Sequence, residues 1–233
     1  MTGAGRRIGR ALAVGLGGRG MRVAVHFHGD PAQAAETCRL VTAAGGSAES
    51  FRADLAEPDA PARLVEAVRT HFGVLHVLVN SAAVMVRTPV GEVTTELWDA
   101  MFAVNLRAPF FCAQAAAAGM GEGGAIVNIA DLAAFETWPA YVPHGITKAA
   151  VVQMTRALAR ALAPRIRVNA IAPGAVLLPD GWDTASVERL RSTTPLRRHG
   201  SPNDVAQALL YLLDAEFVTG ETLIVDGGRH VRS

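Results

Sequence analysis

Short apolar runs alternate with longer helical segments along nearly the whole chain, and this alternation restricts the fold more than any other feature. The runs are rich in β-branched residues and lie at positions 22–27, 75–80, 125–130, 166–171 and 222–225. Between them apolar residues recur at helical spacing, as at Leu64, Val65 and Val68. The pattern predicts an α/β fold of Rossmann type, with a doubly wound parallel sheet that is covered on both faces.

The composition fits one domain that acts on small molecules. The chain has 233 residues, of which 50% are apolar and 18% are charged, enough for one sizeable core. We therefore expect a single domain over residues 1–233. The net charge of +1 provides no basic surface for nucleic acid or for a membrane. The expected partners are a small-molecule substrate and other copies of the chain, in a homodimer or homotetramer.

Cysteine usage and hydropathy indicate the compartment. Cys38 and Cys112 lie far apart among helical residues, which describes neither a disulfide framework nor a metal site. The apolar stretch at 11–16 is shorter than a secretory signal requires. No uncharged apolar run approaches the ~18 residues of a membrane span. These features predict a cytoplasmic protein.

A glycine-rich turn lies at the very start of the chain. Gly3 and Gly9 allow the tight turn and the close backbone approach that a pyrophosphate needs, and a helix from Arg7 would direct its N-terminus at the phosphates. Such a loop ordinarily follows the central strand of the sheet, yet only Met1 and Thr2 precede it. Either the sheet lacks its first strand or the natural chain begins earlier. The second reading is favoured, because a missing central strand would leave both neighbours with unpaired backbone groups.

Further motifs follow the turn in a recognisable order. They are Arg52-Ala53-Asp54-Leu55, Asn80-Ser81-Ala82-Ala83, Asn105, Asn128-Ile129-Ala130-Asp131, His144 to Lys148, Pro173-Gly174, and Thr219-Gly220 before Asp226-Gly227-Gly228. In this order and spacing the chain resembles the short-chain dehydrogenase/reductase family over essentially its whole length. Arg7 in place of a glycine and Asp131 in place of the catalytic serine are most similar to the pteridine reductases and their bacterial relatives.

The resemblance implies a role for each motif. The residues implied to bind the cofactor are Gly3, Arg6, Arg7, Ile8, Gly9, His28, Asp54, Leu55, Asn80, Ala82, Lys148, Pro173, Gly174 and Val176. Among them Asp54 and Leu55 would border the adenine, the loop from Asn80 would line a ribose, and Pro173 to Val176 would flank the nicotinamide. Asn105 would hold the active-site lysine through water. Ordinary strand ends and turns are the structural alternative at each position.

The end of the first apolar run indicates which dinucleotide is bound. An enzyme that selects NAD usually has a carboxylate there, whereas a 2′-phosphate needs cations or other donors. The residue in this position is Phe27, with His28 after it and Arg6 and Arg7 nearby in the loop. This set favours NADPH. Asp30 argues the other way, but its place before a proline predicts a helix cap instead.

His144 stands where the family has its catalytic tyrosine. The resemblance implies that this residue delivers a proton as hydride arrives, while Lys148 holds the nicotinamide ribose. The two residues share a helix face at i and i+4, and a carboxylate at Asp131 would favour the imidazolium form. Asp131, His144 and Lys148 are therefore capable of proton transfer. The alternative is that His144 marks a site whose catalysis has been lost.

The sequence thus predicts an NADP-dependent oxidoreductase that transfers hydride to a carbonyl or a cyclic C=N bond, as the pteridine reductases do. A 3-oxoacyl-thioester or general ketone reductase is one alternative. An NADP-binding protein without turnover is another. Breaks in periodicity at 179–181 and 193–195 make residues 175–199 the expected substrate loop.

Overall fold

The structure is a computed structural model that describes residues 1–178 and 181–231. The helices are α1 (Arg7–Gly17), α2 (Pro31–Ala43), α3 (Ala60–Phe72), α4 (Thr95–Phe102), α5 (Ala108–Ala117), α6 (Val142–Leu162), α7 (Thr184–Thr193) and α8 (Pro202–Asp214). The strands are β1 (Arg22–Phe27), β2 (Ser47–Arg52), β3 (Val77–Asn80), β4 (Gly124–Ile129), β5 (Ile166–Pro173) and β6 (Thr222–Val225). The α/β prediction is confirmed.

All strand pairs are parallel. One group of strands has the order β3-β4-β5-β6, and β1 pairs with β2. The five predicted strands are present, with small shifts at their ends. The sequence did not predict β2, because its residues alternate between exposed and partly buried positions and include no apolar run. β2 pairs with β1 alone among the described strands, which explains its polar composition.

Residues 1–4 lie between β1 and β3 and bond to both. The amide of Thr2 donates to the carbonyl of Val79 at 2.9 Å, and the amide of Ala4 donates to the carbonyl of His26 at 2.9 Å. The amide of His26 in turn donates to the carbonyl of Met1 at 3.1 Å. Through these backbone bonds the segment connects β1 with β3. The glycine-rich turn therefore starts from the middle of the sheet.

Helices cover both faces of the strands. α1, α2 and α8 pack with one apolar cluster, and α3 and α5 pack with a second. Adjacent residues of β4 illustrate the division, since Ile126 belongs to one cluster and Val127 to the other. No helix in the described residues is long and apolar enough to cross a membrane.

The carboxyl ends of the parallel strands meet at one edge of this architecture. β3 ends at Asn80, β4 ends just before Asp131, and β5 runs into Gly174. The first turn of α6 presents His144 at the same edge. The fold thus collects residues that are far apart in sequence, as expected for an open α/β sheet.

Candidate active site

His144 and Asp131 form a direct hydrogen-bonded pair. The ring Nε2 of His144 lies 2.6 Å from Oδ2 of Asp131, and the ring Nδ1 lies 3.3 Å from the carbonyl of Val84. Both nitrogens face oxygen acceptors, so a doubly protonated ring would donate on both sides. The imidazole of His144 and the carboxylate of Asp131 can therefore share one proton in this hydrogen bond.

Asp131 is the more accessible member of the pair. Its side chain is 21% exposed, against 2% for that of His144. Oδ1 of Asp131 also accepts the amide of Ala133 at 2.8 Å, which caps a short 3₁₀ turn at Leu132–Ala134. Burial raises the pKa of the Asp131 carboxyl, but the hydrogen bond from His144 and the charge of Lys148 outweigh burial, so the pKa lies below its ordinary value.

Lys148 lies one helical turn after His144 and is fully covered by protein. Its Nζ donates to the carbonyl of Ile129 at 2.8 Å. Burial lowers the pKa of the Lys148 ammonium below its usual value, and the charge of Asp131 opposes that shift in part. The three predicted catalytic groups Asp131, His144 and Lys148 are thus brought together at the end of β4.

Asn105 fixes the loop that contacts His144. It lies in a π-helical turn, Ala103–Arg107, between α4 and α5. Its Nδ2 donates to the carbonyl of Val84 at 2.9 Å and to Oγ1 of Thr147 at 3.2 Å, and its Oδ1 accepts the amide of Val84 at 2.8 Å. None of these bonds reaches Lys148 directly, so the predicted water link remains a prediction. Sequence reasoning missed Val84 and Thr147, whose apolar and small side chains gave no chemical signal.

Tyr141 is separate from this group. It immediately precedes α6, and its ring packs edge-on against Trp138 with centroids 6.3 Å apart. Among the described residues, the hydrogen bonds of the His144 ring and of the Lys148 ammonium go to Val84, Asp131 and Ile129 rather than to Tyr141.

The glycine-rich turn is packed against the loop after β3. Gly3 has a φ of +62°, and a Cβ there would lie 2.7 Å from the Cα of Ala82. A Cβ on Gly9 would lie 2.0 Å from the carbonyl oxygen of Gly3. The hydroxyl of Thr2 accepts the amides of Ser81 and Ala82 at 3.0 and 3.1 Å. Only glycine fits at these two positions.

Arg7 occupies a left-handed backbone conformation, with a φ of +53°. This region favours glycine, so the conformation is strained for an arginine. Arg6 occupies the N-cap position of α1 in an extended conformation and makes no side-chain capping bond, and Ile8 is partly buried in the first turn. The guanidinium of Arg10 donates to the carbonyl of Gly5 at 2.8 Å and so connects α1 to the glycine-rich turn. Arg6 and Arg7 themselves are exposed.

The residues implied at the adenosine end lie together at the ends of β1 and β2. His28 Nδ1 lies 3.4 Å from Oδ1 of Asp54. Leu55 is buried in an apolar cluster. The carboxylate of Asp30 accepts the amide of Ala32 at 2.8 Å and caps α2. The helix-cap interpretation of Asp30 is therefore confirmed.

The side chain of Asn80 makes buried hydrogen bonds inside the protein. Its Nδ2 donates to Oδ1 of Asn128 at 2.9 Å and to the carbonyl of Pro109 at 3.2 Å. Asn128 Nδ2 continues the chain to Oγ1 of Thr155 at 2.9 Å. The side chain of Asn80 thus ties neighbouring elements together, while the backbone of Ala82 borders the glycine turn.

The segment after β5 is held against the C-terminal end of the described chain. The amide of Gly174 donates to the carbonyl of Val225 at 2.9 Å, and a Cβ on Gly174 would lie 2.7 Å from that of Asp226. Val176 is buried, and Pro173 ends β5. The expected substrate loop at 175–199 contains α7, although residues 179 and 180 lie outside the described residues.

Comparison with known proteins extends the likeness to the whole chain. Residues 3–230 match a family model described as enoyl-(acyl carrier protein) reductase. An uncharacterised oxidoreductase of Methylorubrum extorquens is 37% identical, covering 98% of this chain and 95% of the relative. The 3-oxoacyl-[acyl-carrier-protein] reductase FabG of Staphylococcus aureus is 32% identical, covering 99% and 97%.

Among solved structures, the angucycline C-6 ketoreductase LanV with bound NADP superimposes with a TM-score of 0.92. It is 33% identical, and the match covers 99% of this chain and 94% of that chain. The family match spans nearly every described element, from the glycine turn to the segment after β6. This chain therefore belongs to the short-chain dehydrogenase/reductase family of oxidoreductases.

Proposed function

We propose that the protein uses NADP(H) to reduce a carbonyl or a cyclic C=N bond of a small molecule. The observation that carries this proposal is the 2.6 Å hydrogen bond between His144 and Asp131 beside the buried Lys148. Such a group can neutralise the charge that develops on the heteroatom of a reduced double bond. We propose that residues 1–233 act as one dinucleotide-binding domain.

The glycine turn fits a dinucleotide pyrophosphate. Because a Cβ on Gly3 or Gly9 would collide with neighbouring backbone, the loop offers the close approach that phosphates require. The other residues that we propose to hold the dinucleotide are Arg6, Arg7, Ile8, His28, Asp54, Leu55, Asn80, Ala82, Lys148, Pro173, Gly174 and Val176. When bound, the reduced dinucleotide supplies the hydride.

The end of β1 supports NADP(H) over NAD(H). Phe27 leaves this position without a carboxylate, and Asp30 is engaged in capping α2. Arg6 and Arg7 are exposed nearby and suit an additional phosphate. The related ketoreductase LanV has bound NADP, which is consistent with this choice.

Asp131 and His144 act together as the proton source in this proposal. The ring of His144 is buried, so the shared proton reaches the substrate through the more exposed carboxyl of Asp131. The substrate oxygen or nitrogen forms its new bond to hydrogen as the bond to the pair breaks, and the pair regains a proton from water. Histidine–carboxylate pairs are well suited to such transfers.

Lys148 and Asn105 support the pair from two sides. The ammonium of Lys148 lowers the pKa of the Asp131 carboxyl through its charge. Asn105 fixes both backbone groups of Val84, whose carbonyl faces Nδ1 of His144. We therefore assign Asn105 a positioning role.

We place the substrate in the class handled by the pteridine reductases, because Arg7 and Asp131 both depart from the family pattern in that direction. A 3-oxoacyl-thioester or general ketone reductase is the second candidate, favoured by the likeness to the Staphylococcus aureus reductase and to LanV. An NADP-binding protein without turnover is a third, favoured by His144 in the tyrosine position.

We further propose that the protein works as a homodimer or homotetramer in the cytoplasm. Residues 175–199 would act as its substrate loop. Exposed apolar side chains at Trp182 and Leu196 support a loop that meets a substrate or another chain. Size-exclusion chromatography with light scattering measures the assembly directly.

A substrate panel tests the proposal. NADPH oxidation is followed by absorbance with oxidised pterins, cyclic imines, quinones, simple ketones and 3-oxoacyl thioesters. Faster turnover of a pterin or cyclic imine supports the first candidate, and preference for a ketone or thioester supports the second. Tight NADPH binding without oxidation by any of these compounds would favour the binding protein and contradict the reductase.

A further inference from the structure

The second strand ends in Arg52, the first residue of the Arg52-Ala53-Asp54-Leu55 motif, to which the sequence analysis assigned no role. Arg52 is the last residue of β2 and pairs in register with Phe27 at the end of β1. Its Nε donates to the carbonyl of His28 at 3.3 Å. This bond places the guanidinium beside the chain that leaves β1, at the position where the family distinguishes the two dinucleotides.

The glycine turn lies against the same place. A Cβ on Gly5 would lie 3.5 Å from the Cβ of Phe27, so the turn and the end of β1 are in contact. Arg6 and Arg7 follow Gly5 directly, and both are exposed, as is Arg52. The glycine turn and β2 therefore both contact the end of β1, and each carries exposed arginine side chains close to that contact.

The carboxylates near this stretch are engaged with other partners. Asp54 lies 3.4 Å from His28 and also accepts the amide of Ala56, and Asp30 caps α2. Among the ion pairs of residues 1–178 and 181–231, none involves Arg6, Arg7 or Arg52. Within those residues the Arg52 guanidinium makes one hydrogen bond, to the carbonyl of His28, so its other N–H donors are available to a ligand.

We propose that Arg52 binds the 2′-phosphate of NADP(H) and contributes to the selection of this cofactor. A guanidinium matches a phosphate with two parallel hydrogen bonds, and its anchored Nε reduces the freedom lost on binding. The inference rests on the proposed function, because it requires the adenosine of the dinucleotide to lie at the end of β1. The proposed phosphate contact comes from β2, a strand that the sequence did not predict.

Calorimetric titration of Arg52→Gln tests this assignment without turnover. The ligands are NADPH, NADH, adenosine 2′,5′-bisphosphate and 5′-AMP. We expect the variant to bind the two 2′-phosphorylated ligands about 10-fold more weakly, ~1.4 kcal/mol, and to bind NADH and 5′-AMP as the wild type does. Arg52→Lys should retain part of the preference. Arg63→Gln, which removes an exposed arginine of α3 that lies 3.7 Å from Asp59, is the matched control and should change none of the four affinities.

Each outcome decides between the two ideas. If the wild type prefers NADPH but Arg52→Gln keeps that preference, the Arg52 assignment is wrong and the proposed cofactor stands. An equal loss for all four ligands would mean that Arg52 supports only the shape of the site, which also overturns the assignment. If the wild type binds NADH as tightly as NADPH, or binds neither, the proposed NADP(H) function fails together with the role of Arg52.

Discussion

His144 donates toward Asp131 across 2.6 Å, yet the carboxylate, rather than the imidazole, is the more exposed partner. The carbonyl of Val84 faces the other ring nitrogen. The ring of His144 is therefore enclosed by acceptors on both sides. Because of this arrangement we expect both residues to take part in proton transfer. Substituting one residue at a time measures the contribution of each.

Replacing His144 should reduce turnover without weakening cofactor binding. We expect His144→Gln, which keeps an N–H donor for Asp131 but releases no proton, to lose about 10²-fold or more in kcat. NADPH affinity should stay within about 2-fold of wild type, since no part of the predicted phosphate site changes. Steady-state kinetics and fluorescence titration measure the two effects.

His144→Tyr provides the companion measurement. It introduces a phenol at this position. Because the ordinary pKa of a phenol, ~10, lies well above that of a free imidazole, ~6.5, the pH limb of turnover should move upward. Wild-type turnover and an unchanged pH profile in His144→Gln would show that the proton comes from another source.

Asp131 should make stability depend on pH in a defined direction. Its folded pKa is below the ordinary value, so its carboxylate contributes stability above the unfolded pKa of ~3.9, and that contribution is lost as pH falls through the folded pKa. The difference in unfolding free energy between wild type and Asp131→Asn should be full at pH 6–7 and shrink below about pH 4. Urea unfolding at several pH values measures it. A difference that stays constant, or grows, at low pH would contradict the lowered pKa.

Arg7 should strengthen NADPH binding while its left-handed backbone conformation lowers the stability of the fold. Its φ of +53° costs a non-glycine residue about 1–2 kcal/mol, so Arg7→Gly should melt about 2–8 °C higher than Arg7→Ala. Both variants should lose most of the preference for NADPH over NADH, because both remove the guanidinium. Calorimetry and thermal melts test the two effects separately. Equal melting temperatures would show that the left-handed conformation is relaxed in Arg7→Ala, and a retained preference would remove Arg7 from the phosphate site.

Gly9 should tolerate no side chain. A Cβ there would lie 2.0 Å from the carbonyl oxygen of Gly3, so Gly9→Ala must displace the turn. We expect a loss of about 1–3 kcal/mol or more in unfolding free energy together with weaker NADPH binding. Gly91→Ala is the control, because a Cβ at Gly91 meets nothing within 4 Å. The clash argument fails if the two alanine variants are equally stable and bind NADPH equally well.

The sequence by itself determined the fold class and most strands, because apolar β-branched runs and helical periodicity are local signals. Asp30 is a clear case, since a carboxylate before a proline is a recognisable cap and the structure has it at the start of α2. The sequence did not predict β2, because its side chains are half exposed and only its pairing with β1 defines it as a strand.

The sequence also identified Asp131, His144 and Lys148 as one chemical group through their resemblance to a family pattern. Only the tertiary structure decided that His144 is enclosed and that Val84 and Asn105 hold it in place. It also decided that Arg52 ends beside His28. These contacts join residues from different strands and loops, whose meeting is set by how parallel strands and their crossover helices pack rather than by any local pattern.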